Sequence, residues 1–548
     1  MLSKLSLAAM ADDSRSRGSG TSRAAAGMGA ITAVSRAVGL VRVLAITFVL
    51  GTTSLGDAFQ SANTLSNVLF EFLAAGALSA VLVPVFVDLL DRGDQAGAER
   101  VAGGVLGIAL AFLGMVTVVA VLAAPMLARL LTLGVDPAVA DDQRDLVTYL
   151  LRFFIPQVLV YAAGTIAIAV LYAKRRFAVT AAAPIGNTVV MIAFLAVFWA
   201  VAGPDPTLDL AGSERFLLAA AGTGGVLAFV GILLYACAKA GFRLRPRWPG
   251  RDGQIAAVLR HSGWGVTLHT AAGVLLGAAI VAGAGVEGGV VAYQVGWVIF
   301  LAPYAVFAQP IHTAILPELV TEARDPGPRQ VAASVRWAME RMGLFVLPVT
   351  AGMVALATPA MQLISFGDTR SDLLAAAVAG LALGLLPYSA FLLVARGYYA
   401  LGDSRTPGIA ALVSAGAGVV VMVLSGVLFD GTARVAMLGI GHSVAYTVGV
   451  VILLIGLRRR TRGPLRPAGI GRVLVVSATV GIAVWAVSEA VLERSPGRLG
   501  AALVVAVSGF LGGLAVLAGY RVLRVKDALS PRQLNPDQAG GVPPEASR

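Results

Sequence analysis

The chain is 548 residues long; 57% of its residues are hydrophobic and only 13% are charged, whereas an ordinary globular chain is about 25% charged. Because one bilayer span needs about 20 apolar residues, this content allows about fifteen spans. It excludes a soluble enzyme, a disulfide-stapled secreted module and a disordered scaffold. The formal net charge of +12 must be compared with membrane topology before it is taken as a sign of nucleic-acid binding.

Residues 1–25 are rich in Ser, Arg and Asp and lack an apolar core with a cleavage site, so we expect a disordered cytoplasmic tail, not a signal peptide. Hydrophobic stretches separated by charged residues then recur and predict an all-α polytopic membrane protein with about fourteen transmembrane helices. The predicted spans are 27–50, 64–88, 101–128, 146–173, 180–203, 215–238, 259–284, 289–316, 336–357, 372–400, 408–429, 434–457, 469–492 and 499–522.

Charge alternates between successive loops of this scheme. The loops expected in the cytoplasm carry the cationic clusters 174–176, 239–251 and 458–466, whereas the opposite loops hold acidic residues such as Asp136 and Asp205. Because cytoplasmic loops are enriched in Lys and Arg, this alternation predicts that both termini are cytoplasmic. Most of the positive charge is then a topology signal and an attraction to anionic membrane lipids, and we expect no nucleic-acid partner.

Two cytoplasmic helix ends recur about 230 residues apart. Leu171–Ala173 corresponds to Tyr398–Ala400, and Val83–Pro84 corresponds to Leu316–Pro317. This repeat predicts two six-helix lobes related by a pseudo-two-fold axis, as in transporters whose central cavity opens to either side; chance similarity of two proline-bearing helix ends is the alternative. The expected division is a tail at 1–25, an N-lobe at 26–245, a C-lobe at 255–460, a final helix pair at 461–522 and a second disordered tail at 523–548.

Ionisable side chains in the first predicted helix mark a candidate site, since a charge inside a span costs about 2.5–3.5 kcal/mol on insertion scales. This helix contains Ser35, Arg36 and Arg42. We expect both guanidinium groups to face an aqueous cavity, where their planar forks suit phosphate oxygens. The alternative is a pair of helix-end anchors bound to lipid headgroups.

The second predicted helix adds a polar stripe. Asn63, Asn67 and Glu71 follow one another at intervals of four residues and therefore share one helix face, which predicts a water-facing wall. Glu71 either titrates or pairs with an arginine of the first helix. Asp57 lies just before this predicted helix, where it either caps the helix or takes part in gating; Ser35 belongs to the same gating or capping group.

Three further polar residues are weaker cavity candidates. Arg152 either faces the cavity or anchors the outer interface, and His269 and Gln309 lie within predicted spans and are more often buried hydrogen-bonding residues than ligands. Pro303 and Pro310 interrupt the eighth predicted helix and predict a kink there.

Catalytic and metal motifs are missing from the sequence. Cys237 is the single cysteine and the four histidines are scattered, so neither a disulfide nor a metal site is expected. No phosphate-binding loop, nucleophile triad or paired-carboxylate constellation occurs. We therefore expect a protein that is not an enzyme and has no cofactor, driven by the membrane potential or an ion gradient.

Several of these segments resemble the MurJ/MviN family of lipid II flippases, within the multidrug/oligosaccharidyl-lipid/polysaccharide exporter superfamily. The resemblance rests on motifs spread over most of residues 27–460. They are Ser35–Arg42, Gly56–Phe59, Asn67 with Ala75–Ser79 and Val83–Pro84, Arg176–Phe177 with Ala183–Pro184 and Asn187, Gly224–Leu227, and Tyr399–Pro407.

The resemblance implies fourteen helices, a cationic central cavity and movement of undecaprenyl-diphosphate-linked disaccharide peptide from the cytoplasmic to the outer leaflet of the bacterial cytoplasmic membrane. Arg36 and Arg42 match the first-helix arginines of the family. Other positions differ: Phe70 and Ala75 replace charged residues of the second helix, and Trp297–Val298 replaces an Asp-Arg pair of the eighth. We therefore expect a less cationic cavity.

The resulting hypothesis is a lipid II flippase of peptidoglycan biosynthesis that works by alternating access, with lipid II or a similar polyprenyl-diphosphate lipid, membrane lipids and candidate peptidoglycan synthases as partners. Related alternatives are a flippase for another polyprenyl-linked glycan and a cation-coupled drug exporter, which an acidic and aromatic cavity would favour. Alternatives of other classes are a scaffold for cell-wall synthesis that transports nothing and a membrane-embedded glycosyltransferase, whose large extramembrane loop is missing here.

Overall fold

The computed structural model describes residues 34–35, 37–70, 76–248, 263–324, 327–366, 369–461, 465, 467, 469–495 and 497–525. Over these ranges every regular element is a helix. Ten of the helices in the described part are long and apolar enough to cross a membrane, or eleven if one bent pair is counted as a span. The all-α, polytopic fold is thus confirmed, while the count of fourteen spans and the two-lobe symmetry stay predictions.

The chain divides into two compact units. The first comprises Met1–Thr132 and Asp136–His269, and the second comprises Leu133–Val135 and Thr270–Arg548. The lobe boundaries expected from the sequence, 26–245 and 255–460, stay predictions. Residues 1–25 and 526–548 lie outside the described residues, whereas residues 523–525, the start of the expected second tail, are described, and Val525 is buried.

The first unit is formed by helices α1 to α9. They are α1 Ala37–Leu50, α2 Ser54–Phe70, α3 Gly76–Asp91, α4 Gln95–Leu122, α5 Ala124–Leu131, α6 Ala140–Phe154, α7 Gln157–Ala173, α8 Phe177–Ala202 and α9 Gly212–Lys239.

Helix α7 lies at the centre of this unit and packs against α2, α3, α4 and α9. Ten of its seventeen residues are buried, and Ile166 and Leu171 join Phe86 of α3 and Leu233 of α9 in one hydrophobic core. A helix that is apolar on all sides is typical of a span surrounded by other spans. The polar residues of α7 described below are therefore enclosed by protein on several sides.

Three predicted spans of this unit have wrong bounds. The second, 64–88, corresponds to two described helices, and α2 already begins at Ser54 because the Thr53 hydroxyl accepts a hydrogen bond from the Gly56 amide, 3.3 Å. The third predicted span, 101–128, corresponds to α4. This helix begins earlier than predicted because Asp94 caps its start, and it ends before Ala123. The fourth, 146–173, is divided at Pro156, which has no amide hydrogen to continue the helix.

The second unit contains helices α10 to α21 and two π-helical turns. They are α10 Gly263–Gly283, which begins before the unit boundary, α11 Gly289–Pro303, the π turn Tyr304–Ala308, α12 Gln309–Arg324, α13 Pro328–Ala355, α14 Ala357–Ile364, α15 Ser371–Ala382, α16 Leu385–Ala400, α17 Arg405–Leu428, α18 Gly431–Thr461, α19 Ile470–Arg494, α20 Arg498–Leu503, the π turn Val504–Ser508, and α21 Gly509–Val522.

Helix α18 is the centre of this unit and packs against α15, α16 and α17, with a smaller contact to α11. The close approach depends on glycine, since a Cβ at Gly439 would collide with the backbone of Gly380 and Leu381 on α15. The last two spans pack on α13 through α19, and α21 lies on α19.

Two predicted spans of this unit are irregular. The tenth, 372–400, is a broken span whose halves, α15 and α16, meet at an angle of 41° around Leu383 and Gly384. The eighth contains a π turn between Pro303 and Gln309, beside the two prolines for which a kink was predicted. The ninth, 336–357, begins earlier than predicted, at Pro328, directly after Gly327 with its positive φ of 104°.

Candidate functional site

A polar group inside the first unit brings together three helices. The Tyr161 hydroxyl of α7 donates a hydrogen bond to Oδ1 of Asn67 on α2, 3.3 Å. Arg42 of α1 is half-buried, and it and Tyr161 interact electrostatically. Asn63, one turn before Asn67, is half-buried on the same face. A guanidinium, an amide pair and a phenol thus lie on adjacent spans, where they offer hydrogen-bond donors to an anion.

The polar line continues along α7 and its neighbours. The Gln157 amide donates to the Thr223 hydroxyl of α9, 3.0 Å, and the Ser66 hydroxyl of α2 donates to the Phe154 carbonyl, 2.6 Å. The Phe154 carbonyl is at the break between α6 and α7, where Pro156 removes a helical donor. These bonds satisfy backbone and side-chain groups inside the unit, as an apolar environment requires.

Asp57 is buried in the first turn of α2, with only 1% of its surface exposed. The expectation that it precedes the second helix is wrong, because α2 begins at Ser54 and Thr53 provides the side-chain cap. A carboxylate in a first turn still opposes the positive end of the helix dipole. Its role in gating stays a prediction, as does that of Ser35, which is half-buried in a helical turn before α1.

Arg36 and Glu71 lie outside the described residues. So does Ala75, one of the positions that differ from the family, and the side chain of Phe70, another such position, is not described. The structure therefore brings together Arg42, Asn63 and Asn67 of the predicted substrate-binding set. Their role in binding stays a prediction.

The weaker candidates lie on helices other than those of this group. Arg152 is exposed in the last turn of α6, and His269 is half-buried in α10. Gln309 is the first residue of α12 and lies in the second unit, directly after the π turn.

Sequence reasoning missed Tyr161. A signal was present, because Gln157 and Tyr161 are four residues apart and form a polar stripe on an otherwise apolar helix. The pattern resembles the stripe of Asn63 and Asn67, and the two stripes meet at the hydrogen bond between Tyr161 and Asn67.

A second group, missed by sequence reasoning, lies in the second unit and consists of aromatic rings around His442 of α18. The Tyr293 hydroxyl of α11 and Nδ1 of His442 share a hydrogen bond of 2.6 Å. The ring of Trp297 lies 4.6 Å from the imidazole and the ring of Tyr446 lies 5.3 Å from it, centroid to centroid. Tyr388 of α16 contacts both Trp297 and Tyr446. We call these five residues the His442 cage.

The second unit also contains an apolar cavity of about 800 Å³ between α13, α15 and α19. Its lining includes Val354, Leu474, Ile482 and Trp485, with Asp372 among its few polar groups. A smaller cavity of about 310 Å³ lies between α13, α19 and α21. Cavities of this size and apolar character suit the hydrocarbon part of a ligand.

Over the described residues no group of three or more His, Cys, Asp or Glu side chains could hold a metal ion. Cys237 is buried in α9, where its thiol lies 3.5 Å from the Ala167 carbonyl of α7.

Comparison with solved structures shows the fold. The structure titled "Lipid II flippase MurJ, inward closed conformation" aligns with a TM-score of 0.70 at 16% identity, covering 91% of this chain and 99% of that chain. An inward-facing multidrug resistance MATE family transporter of the MOP superfamily aligns with a TM-score of 0.62 at 15% identity, covering 78% of this chain and 98% of that chain.

Comparison with curated sequences identifies the family. The probable lipid II flippase MurJ of Haemophilus influenzae is 28% identical over 410 residues, which cover 70% of this chain and 77% of the relative. The lipid II flippase MurJ of Burkholderia cenocepacia is 24% identical over 445 residues, 78% of this chain and 82% of the relative. The family model described as lipid II flippase MurJ matches residues 46–503. The chain therefore belongs to the lipid II flippase MurJ family, a family of multi-pass bacterial membrane transporters.

Proposed function

We propose that this protein is a lipid II flippase, which carries undecaprenyl-diphosphate-linked disaccharide peptide from the cytoplasmic to the outer leaflet of the bacterial cytoplasmic membrane. Family membership supports this function, and one observation in the structure carries it: a half-buried arginine, Arg42, lies in a membrane helix near Tyr161, which bonds to Asn67. A charge at such a position is costly and needs a polar ligand or an aqueous wall.

The proposed division of labour follows the chemistry of the lipid. Arg42 binds the diphosphate together with Arg36, which precedes it in the sequence, because a guanidinium fork matches two phosphate oxygens. Asn63 and Asn67 offer further amide donors to the head group. The Leu, Ile, Val and Ala side chains that line the apolar cavity between α13, α15 and α19 match the chemistry of a polyprenyl tail.

The protein acts as a transporter and not as an enzyme, in this proposal, and works by alternating access without a cofactor. The energy comes from the membrane potential or an ion gradient, which is worth about 2.3 kcal/mol per unit charge per 100 mV. We further propose that both termini are cytoplasmic, that peptidoglycan synthases are candidate partners and that nucleic acid is not one.

The test is the transfer of labelled lipid II in proteoliposomes under an imposed potential. We expect Arg42→Ala to slow transfer about tenfold to hundredfold, because a hydrogen bond to a charged group is worth about 1.5–3 kcal/mol. Arg42→Lys keeps the charge but loses the planar fork, so its transfer rate should lie between those of the wild type and Arg42→Ala. Arg92→Ala is the control, since Arg92 is exposed and pairs with Asp88 on the surface.

Two outcomes would contradict the proposal. Wild-type protein that leaves lipid II in its original leaflet would exclude the flippase, and equal rates for wild type and Arg42→Ala would exclude the site. A transport-free scaffold for cell-wall synthesis should still support growth when Arg42 is replaced, so complementation of a depleted strain separates that alternative.

The second candidate is a cation-coupled drug exporter of the same superfamily. The aromatic His442 cage is the observation that favours it, since exporters bind flat apolar cations on aromatic rings. Export of such a dye by the reconstituted protein, together with no transfer of lipid II, would replace the flippase proposal with this one.

A further inference from the structure

The second unit contains a buried histidine inside a long helix, His442. It is the twelfth residue of the 31-residue helix α18 and is 3% exposed. Its Nδ1 bonds to Tyr293, but within the described part of the chain Nε2 has no hydrogen-bond partner. Since buried polar atoms are nearly always paired, an imidazole nitrogen left open inside a span needs an explanation.

The rings around His442 are suited to a cation. The indole of Trp297 and the phenol of Tyr446 lie 4.6 and 5.3 Å from the imidazole, and that of Tyr293 lies 6.2 Å from it, centroid to centroid. The faces of such rings carry partial negative charge and attract a cation within about 6 Å. A neutral imidazole gains little from this arrangement, whereas an imidazolium gains from each ring.

A broken span ends beside the same residue. The hydroxyl of Ser443, the next residue of α18, donates to the carbonyls of Gly380 and Leu381, 2.9 and 3.5 Å, in the last turn of α15. The C-terminal end of a helix carries partial negative charge, and the ends of discontinuous membrane helices are common sites for coupling cations. This feature is independent of the aromatic rings and places the partly negative end of α15 against the residue next to His442.

The titratable groups close to the imidazole are tyrosines. Tyr293, Tyr388 and Tyr446 come from α11, α16 and α18, and no described charged side chain acts electrostatically on His442. The ionisable residues elsewhere on α18 and on the helices packed against it are Asp372 on α15; Arg396, Tyr398 and Tyr399 on α16; Arg405 on α17; Arg329, Arg336, Glu340 and Arg341 on α13; and Arg434, Arg458, Arg459 and Arg460 on α18.

We propose that the His442 cage is a proton-binding site that couples transport to the proton gradient. This inference rests on the proposed function and deepens it, because it names the coupling ion. The proton adds to the lone pair of one ring nitrogen, after which both nitrogens carry N–H and Nδ1–H donates to the Tyr293 hydroxyl oxygen. Trp297 is half-buried, so the cage reaches the surface of the unit through this side chain.

Coupling follows if protonation changes the relative stability of two conformations. The imidazolium is stabilised where the rings surround it and destabilised where they move apart, so proton binding shifts the population between the two states. The bend between α15 and α16, at Leu383 and Gly384, is the element that such a shift would move, because Ser443 bonds to one half and Tyr388 lies on the other.

Trp297 provides a direct measurement, since a protonated imidazole quenches an indole in contact with it. In proteoliposomes, the fluorescence difference between the wild type and Trp297→Phe should change with pH as one group titrates. His442→Gln should abolish this titration. His312→Gln is the matched control: His312 is buried in the same unit, but its aromatic contact is Tyr304 and the positive charge of Arg396 acts on it.

Transport gives the second readout. At a fixed membrane potential, we expect the rate of lipid II transfer by the wild type to change roughly fivefold or more between about pH 4 and about pH 8, and transfer by His442→Gln to be flat over the same range. The His312→Gln protein should retain the dependence of the wild type.

The outcomes separate the two proposals. A Trp297 signal without titration, or one that persists in His442→Gln, overturns the proton site whether or not lipid II moves. A titration that depends on His442 in a protein that transfers no lipid II supports the proton site and contradicts the flippase. Transfer with the same pH dependence in wild type and His442→Gln overturns the coupling while the flippase stands.

Discussion

One carboxylate, that of Asp403, stabilises the turn between α16 and α17. Asp403 accepts hydrogen bonds from the amide and hydroxyl of Thr406, 3.0 and 2.8 Å, and pairs with Arg460 at the end of α18, 2.6 Å. Burial alone would raise the pKa of Asp403, but these bonds outweigh it and lower the pKa below its usual value. The residue therefore caps α17 and joins it to α18.

Replacement of Asp403 should weaken the fold in a pH-dependent way. We expect Asp403→Ala to lower the free energy of unfolding by about 1–2 kcal/mol near neutral pH, the usual cost of a lost cap. Because the folded-state pKa is depressed, this stabilisation is present above the unfolded-state pKa and disappears as the pH falls through the folded-state value. Thermal unfolding in detergent from neutral to acid pH measures both effects.

The control for Asp403 is Asp88→Ala. Asp88 pairs with Arg92 at 2.7 Å, but both side chains are more than half exposed, so its removal should cost less than about 0.5 kcal/mol. Equal losses for the two variants, or a loss for Asp403→Ala that does not shrink at acid pH, would show that the cap contributes nothing specific.

At the scale of elements, a glycine face of α4 holds an irregular cationic segment, residues 242–248. The Arg247 amide donates to the Gly103 carbonyl, 2.9 Å, and the Arg243 amide donates to the Glu99 carboxylate, 3.0 Å. A Cβ at Gly103 or Gly107 would collide with the backbone carbonyls of Arg245 or Arg247. The spacing of these two glycines, uninformative in a chain with 64 of them, thus has a structural reason.

We expect Gly107→Ala to lower the free energy of unfolding by about 1–3 kcal/mol, because backbone and not a flexible side chain opposes the new methyl group. Gly114→Ala is the matched control on the same helix, where a Cβ would meet nothing within 4 Å. That variant should be neutral or up to about 1 kcal/mol more stable, since alanine favours helix. Similar behaviour of the two variants in thermal unfolding would contradict a tight contact at Gly107.

The contrast between α2 and α18 shows how far sequence reasoning extends. An interval of four residues places Asn63 and Asn67 on one face of a helix, so their shared face was predictable from local geometry. His442 is 149 residues from Tyr293, and only the packing of α11 on α18 brings them together. Hydrophobicity also finds the spans but not the break between α15 and α16, because both halves are predominantly apolar.

At the scale of the whole molecule, the alternation of loop charge makes a prediction about sidedness. Cationic turns such as Lys174–Arg176 and Arg458–Arg460 follow α7 and end α18, whereas acidic residues such as Asp205 lie at the other ends of the helices. The outer side is thus expected to hold the loop after α8, and the cytoplasmic side the loops after α7 and α18. This orientation determines the leaflet from which the lipid enters the protein.

Single-cysteine labelling tests this orientation with little background, because the single native cysteine, Cys237, is 1% exposed. In intact spheroplasts, a membrane-impermeant thiol reagent should label Asp205→Cys and should label Arg459→Cys only after the membrane is opened; both positions are exposed in the structure. The wild type, unlabelled in both conditions, is the control. Labelling of Arg459→Cys from outside would show that the topology is the reverse of the predicted one. Lipid from the cytoplasmic leaflet would then have to reach the arginine site from the other end of the protein.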